Sequence, residues 1–242
     1  MASPESTTPK RSAIYLSTPV NALVEGLYEQ TVSLSEIKTH GDFGLGTFNE
    51  LDGEMVLLDG DVYQVNSKGE VIPVPDETLT PFACVTFFRS LSHDLIDREL
   101  DYPGFLAMVG KLLPSPNLFY AIRVEGTFAH VKTRSVPKQE NYRPLVEVAR
   151  EQPEFEFHDT RGTLAGFYTP SFMSSLNVPG LHLHFLSEDL THGGHLLECR
   201  PTEARVDVQF LTRLELSLPM SLDYLTWDLS RDVNKDLHKA ER

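Results

Sequence analysis

Leu181-His182-Leu183-His184-Phe185, followed by Ser187-Glu188-Asp189-Leu190-Thr191-His192-Gly193-Gly194-His195, is the stretch that decides how this chain is read. Alternate residues of a strand project from one face. His182 and His184 therefore project together, and Leu181, Leu183 and Phe185 pack on the other side. The Ser/Asp/Thr/Gly-Gly segment predicts a reversal into a second strand, His195-Leu196-Leu197-Glu198-Cys199, which returns His195 toward the pair. Three imidazoles converging from a hairpin suit zinc or a similar divalent ion. Three protein nitrogens leave coordination positions open, as in a catalytic metal site. His192 competes with His195 as the third donor, although its two following glycines place it in the turn. A His-x-His pair also occurs on strands that bind nothing.

Outward from this hairpin the chain is rich in short strand signals. Met55-Val56-Leu57-Leu58, then Asp59-Gly60, then Asp61-Val62-Tyr63-Gln64-Val65 predicts a hairpin. Ser67-Lys68-Gly69 turns into a strand over 71–74, and the run over 84–88 predicts a buried strand. Residues 119–124 and 127–131 predict a hairpin about Glu125-Gly126. Glu154-Phe155-Glu156-Phe157-His158 has the alternation of a half-buried strand, and Arg161-Gly162 predicts a turn into 164–168. Residues 206–218 predict further strand.

Helices are few. One opens at Thr18-Pro19. One is capped by Ser33-Leu34-Ser35-Glu36 and ended by Gly41. Others are predicted over 105–113 and around 145–149, and the charged tail over 222–242 is expected to be partly helical. This order predicts an α+β fold dominated by β-structure. The expected organisation is a disordered tail over 1–16, a mixed β-sheet with flanking helices over 17–150, and a smaller β-barrel-like unit carrying the metal hairpin over 151–242. No repeated β-helix-β unit or Gly-rich phosphate loop supports a nucleotide cofactor.

The chain has 242 residues, 40% of them hydrophobic, enough for one large domain or two small packed ones. Its formal net charge is −14, which repels phosphate backbones and argues against nucleic-acid binding. An anionic substrate needs a local basic group to offset that field. The two cysteines, Cys84 and Cys199, lie far apart in apolar runs and read as buried thiols in a reducing compartment. The polar N-terminus lacks the apolar core of a signal peptide, and no apolar run reaches membrane-spanning length. The expected location is the cytoplasm, with no membrane partner.

Several motifs in collinear order carry a resemblance. Gly41-Asp42-Phe43-Gly44-Leu45-Gly46-Thr47-Phe48-Asn49, Leu51-Asp52-Gly53-Glu54-Met55, Lys132-Thr133-Arg134-Ser135-Val136-Pro137, and Gly180-Leu181-His182-Leu183-His184-Phe185 with Gly193-Gly194-His195 resemble α-acetolactate decarboxylase. The match runs from about Thr18 to the C-terminus. The resemblance implies a zinc-dependent carboxy-lyase that converts acetolactate to acetoin and carbon dioxide, a mixed sheet plus a small barrel, and a homodimer. It implies His182, His184 and His195 as zinc ligands, Glu54 as an active-site glutamate, and Arg134 as the active-site arginine. It implies Thr47 as a substrate contact, and Glu241 as an acid that the tail folds back into the site.

The implied chemistry is coherent. Acetolactate is a β-keto acid, so loss of carbon dioxide leaves an enediolate whose charge a cation offsets. A permanently charged planar guanidinium suits the substrate carboxylate. A carbon must then be protonated, which needs a positioned acid such as Glu241. The competing reading is a cupin-like oxygenase or sugar-binding barrel, in which Glu188, four residues after His184, is a ligand to iron or manganese. Against it, His195 stands where cupins place a glycine, and no second histidine motif with a following asparagine comes downstream. A zinc-stabilised interaction domain would instead need a closed set of four ligands.

Overall fold

The computed structural model describes residues 12–141 and 143–240. In chain order the elements are β1 (Ala13–Leu16), α1 (Val20–Val24), β2 (Val32–Ser33), α2 (Leu34–Lys38), β3 (Phe43–Thr47), β4 (Glu54–Leu58) and β5 (Asp61–Val65). They continue as β6 (Val71–Pro73), β7 (Leu79–Thr80), β8 (Ala83–Thr86), β9 (Ser92–Ile96), α3 (Tyr102–Lys111), β10 (Phe119–Arg134) and α4 (Leu145–Val148). The last are β11 (Glu154–Thr169), β12 (Gly180–Ser187), β13 (Gly193–Leu211), β14 (Arg213–Leu216), α5 (Leu222–Thr226) and α6 (Asn234–Ala240). The fold is α+β and β-dominated.

Local chemistry sets many of these limits. The Ser33 hydroxyl caps α2 by accepting from Glu36 N, and the Asp101 carboxylate caps α3 by accepting from Gly104 N. Asp59 and Gly60 both take positive φ, 53° and 92°, the two-residue turn that joins β4 to β5.

A seven-stranded mixed sheet has the order β14-β1-β8-β3-β4-β5-β6, with β1 parallel to β14 and the other neighbours antiparallel. A second sheet has the order β10-β11-β12-β13-β9, and β13 also pairs with β10. Pairing therefore passes through β10, β11, β12 and β13 and returns to β10.

Alternation sorts the side chains into layers. Ile14, Leu16, Phe43, Leu45, Val56 and Cys84 face the second sheet and share a core with Ala165, Phe167, Leu186 and Leu211. Tyr15, Met55, Leu57, Ala83 and Val85 face the other way, with Leu34 and Ile37 of α2. Leu183 and Phe185 join Tyr120, Ile122, Phe128 and Val208 in a third cluster, with Phe105 and Val109 of α3.

The structure departs from the sequence reading in four places. Ala13–Leu16, expected within the tail, is an internal strand of the seven-stranded sheet; Ile14 and Leu16 are wholly buried. Residue 150 does not divide the sheets, because β9 and β10 pair with later strands and β14 pairs with β1. Gly193 and Gly194 begin β13 rather than form the turn.

The fourth departure concerns Glu125-Gly126 and Arg161-Gly162. Neither is a turn; both lie inside 16-residue strands, where Gly126 pairs with Gly162 and with Ala204. A Cβ on Gly126 would lie 2.2 Å from the Glu203 carbonyl oxygen. These glycines allow close approach of backbones, which sequence reads as a turn signal equally well. Gly126→Ala is expected to destabilise the fold by about 1–3 kcal/mol, seen as a lower midpoint in denaturant unfolding, whereas an exposed turn glycine would tolerate the change.

Candidate active site

β12 presents His182 and His184 on the face opposite Leu183 and Phe185, and His195 of β13 stands directly across from His184 in the antiparallel register. His182 Nε2 lies 3.2 Å from His184 Nε2 and 3.1 Å from His195 Nδ1. Nitrogens bound to one tetrahedral zinc at ~2.0–2.1 Å lie roughly 3.3–3.4 Å apart, so the spacing fits a shared ion. His184 Nδ1 is 2.8 Å from the Met55 carbonyl. A carbonyl only accepts, so Nδ1 carries the proton and Nε2 offers its lone pair to the cluster. Burial holds the His182 imidazole down at about 3, with the Arg134 charge adding to it. Burial likewise drives His184 well below the usual imidazole range, helped by the charges of His182 and Arg134 and opposed by the Met55 hydrogen bond. Neutral imidazoles are the metal-binding form.

The seven-stranded sheet supplies the facing wall. Thr47 of β3 and Glu54 of β4 are register partners. Glu54 shares a face with Val56, turned toward the second sheet, and its Oε2 is 3.5 Å from His184 Nε2. Gly53 at φ 83° makes this entry to β4 possible, since a Cβ there would lie 2.4 Å from the Val65 carbonyl oxygen. The Thr47 hydroxyl donates to the Gly53 carbonyl at 2.7 Å. Arg134 ends β10 opposite His195 and is buried. One cavity is lined by Thr47, Glu54, Arg134 and the three histidines. The structure thus brings together every site residue expected from sequence that lies among the described residues. Glu241 lies outside them; Ala240, the residue before it, lines the same cavity.

The remaining wall carries no sequence signal. Val20, Leu23, Leu51, Phe82, Val136, Leu145, Gln152 and Val178 come from separate segments and meet only in the fold. Apart from the Gln152 amide, they make one side of the cavity apolar beside a charged and metal-competent side, the usual make-up of a small-molecule site.

The family model for alpha-acetolactate decarboxylase matches residues 14–231. The chain is 43% identical over 229 residues to the alpha-acetolactate decarboxylase of Methylococcus capsulatus, covering 94% of this chain and 88% of that one. The chain belongs to the alpha-acetolactate decarboxylase family. The crystal structure of the alpha-acetolactate decarboxylase from Bacillus subtilis strain 168 superposes with a TM-score of 0.92 at 38% identity, covering 95% of this chain and 99% of that one. A Staphylococcus aureus protein of unknown function, described as similar to alpha-acetolactate decarboxylase, superposes at 0.91 with 30% identity, covering 95% and 100%. The activity is that of an acetolactate decarboxylase, a carboxy-lyase that converts acetolactate to acetoin and carbon dioxide.

Around this cavity the alternative ligands fall away from the histidine cluster. His192 sits in the turn, its ring edge against Phe157 at 4.3 Å and its Nδ1 against the Thr191 hydroxyl. Glu188 is exposed and faces Arg161 at 3.3 Å. Neither belongs to the donor cluster of His182, His184 and His195. Glu188→Gln is expected to leave metal content and turnover within about twofold of the parent, because an exposed ion pair contributes ~0–1 kcal/mol. Loss of metal in that variant would restore the cupin-type ligand set.

Proposed function

We propose that this decarboxylase works with one Zn2+ held by His182, His184 and His195, with Arg134, Glu54 and Glu241 as the catalytic groups and Thr47 as a substrate contact. The observation that carries this reading is the convergence of three imidazole donors in the cavity that Glu54 and Arg134 also line. When bound, the ion supplies Lewis acidity to the ketone and hydroxyl oxygens of acetolactate.

The residues do the rest. Arg134 binds the departing carboxylate through a two-pronged donor fork. Its charge also serves the reaction globally, because the chain carries a net −14 and the substrate is an anion. Glu54 sits beside the donor cluster, where its carboxylate can hold or relay a proton. Glu241 follows cavity-lining Ala240 in sequence and is the proposed donor to the carbon left by carbon dioxide. Thr47, with its hydroxyl proton committed to the Gly53 carbonyl, contributes contact rather than proton transfer.

The closed pairing of β10 through β13 supports reading the second sheet as the barrel-like unit that carries the metal hairpin. Two free, buried thiols support a cytoplasmic location. Among the described residues, no helix is long and apolar enough to cross a membrane. Leu218, Met220, Leu222 and Leu225 are exposed just after the edge strand β14, and this apolar run supports a homodimer formed with a second copy of the chain.

Acetoin formation from acetolactate by the purified protein, with and without a chelator and with zinc restored, tests the reading. Turnover that survives complete metal removal would overturn it. Arg134→Lys keeps the charge and loses the fork. It is expected to lower kcat/KM roughly 10- to 100-fold while metal content is retained. Parent-like kinetics in that variant would reduce Arg134 to a simple point charge.

A further inference from the structure

Gln152 lies in the cavity and has no part in the chemistry above. It follows the short turn Ala149–Glu151 with an extended backbone, φ −68° and ψ 127°, the conformation favoured before a proline. Pro153 accepts a hydrogen bond from Ser135 N at 3.2 Å, and Glu154 pairs with Arg134. The residue is thus tied to the strand end that carries Arg134. Its side chain lines the cavity with Arg134, Glu54 and the histidines. Its Oε1 is buried and has no hydrogen-bond partner among the described residues. A buried acceptor left without a donor is unfavourable, and such groups in native folds mark places where a further partner binds. The apolar lining residues Val20, Leu23, Leu51 and Phe82 have no side-chain donor to offer.

The substrate has one. The carboxylate and ketone of acetolactate only accept hydrogen bonds, and its single donor is the 2-hydroxyl. We propose that Gln152 Oε1 accepts the hydrogen bond of the substrate's 2-hydroxyl, and so makes the site select hydroxylated β-keto acids over their deoxy analogues. A neutral amide cannot take the proton, so Gln152 orients the hydroxyl without ionising it. The hydroxyl oxygen keeps its lone pairs for a cation, and the two roles do not compete. Orientation of the hydroxyl fixes rotation about the carbon that loses carbon dioxide, which is the torsion that Arg134 alone leaves open. A site that pairs a buried polar group with a substrate hydroxyl rejects the analogue lacking it far more strongly than an apolar pocket does.

This inference rests on acetolactate as the substrate, and the test separates the two. The zinc-loaded parent and Gln152→Leu are assayed for carbon-dioxide release from acetolactate. Each is also inhibited with 2,2-dimethyl-3-oxobutanoate, in which a methyl group replaces the hydroxyl. Metal content and thermal midpoint are recorded for both proteins. No turnover by the parent would overturn the substrate reading itself. With an active parent, Gln152→Leu is expected to lose about tenfold in kcat/KM for acetolactate, while the inhibition constant of the analogue stays within about twofold. Unchanged kinetics would overturn the role of Gln152. Equal weakening toward substrate and analogue would overturn recognition of the hydroxyl, because the two differ only in that group. Should the leucine variant lose thermal stability, Gln152→Ala measured in the same way decides between these outcomes.

Discussion

His184→Ala is expected to lose its bound zinc and, with it, measurable decarboxylation. His184 is the most deeply placed of the three donors, with 0% exposure. Its ring is fixed at Nδ1 by the Met55 carbonyl, which leaves Nε2 aimed at His182 and 3.5 Å from Glu54. Removing it leaves His182 and His195, one donor short of the three protein ligands that hold a catalytic zinc. Zinc content after dialysis and carbon-dioxide release are the measurements. Chelation of the parent is expected to reproduce the loss, and added zinc to reverse it in the parent alone. Because the ring is wholly buried, the thermal midpoint must be followed as well; His182→Ala, at a half-buried position, gives the same comparison with less disturbance of the core. A His184→Ala protein that kept both zinc and turnover would show that the ion is held elsewhere.

The histidine hairpin was legible because its signal is local. Alternation puts His182 and His184 on one face whatever the rest of the chain does, and antiparallel return places His195 across from His184. The Asp59-Gly60 hairpin and the Ser33 cap were legible for the same reason. Glycine was the ambiguous symbol. At Gly60 it supplies positive φ, whereas at Gly126 it makes room for Glu203 and Ala204 on a neighbouring strand. Only the fold tells the two uses apart. The wrongly placed turns at Gly126 and Gly162 hid two long strands, and with them the way β10 links Arg134 to His195.

The carboxylates and arginine proposed here as catalytic are singled out in the sequence only by resemblance. Glu54 is an ordinary residue at the head of a strand until the facing sheet brings His184 to it. The apolar wall and Gln152 were not legible at all. They come from α1, the segments before β4 and β8, and the connections around α4 and β12, and no spacing in the sequence joins them. Residues that meet only through tertiary proximity leave no periodicity, which is why the histidine cluster could be read and the pocket around it could not.

Removing Glu241 and Arg242 is expected to lower turnover by ~10²–10⁴-fold, the usual loss for a positioned acid, while folding and zinc content stay as in the parent. The helix before them is anchored in the core. Val233, just before α6, and Leu237 and Ala240 within it are buried in the core between the sheets, at the spacing of one helical face. Chain ends are ordinarily loose and dispensable, yet α6 and the residue before it commit three apolar side chains to the core, and the helix ends at the cavity wall. The buried contacts come from Val233, Leu237 and Ala240, all before the removed pair, so the truncation is expected to cost activity and not stability. Truncation before Val233 is the contrast: it removes the docked face and is expected to lower the thermal midpoint too. Carbon-dioxide release and acetoin should be measured separately, since an enediolate left without its donor can be protonated in solution. Acetoin of reduced enantiomeric purity from the two-residue truncation would place the missing acid at the carbon. Full turnover with unaltered stereochemistry would instead assign the proton to Glu54 and leave α6 a purely structural lid on the apolar wall.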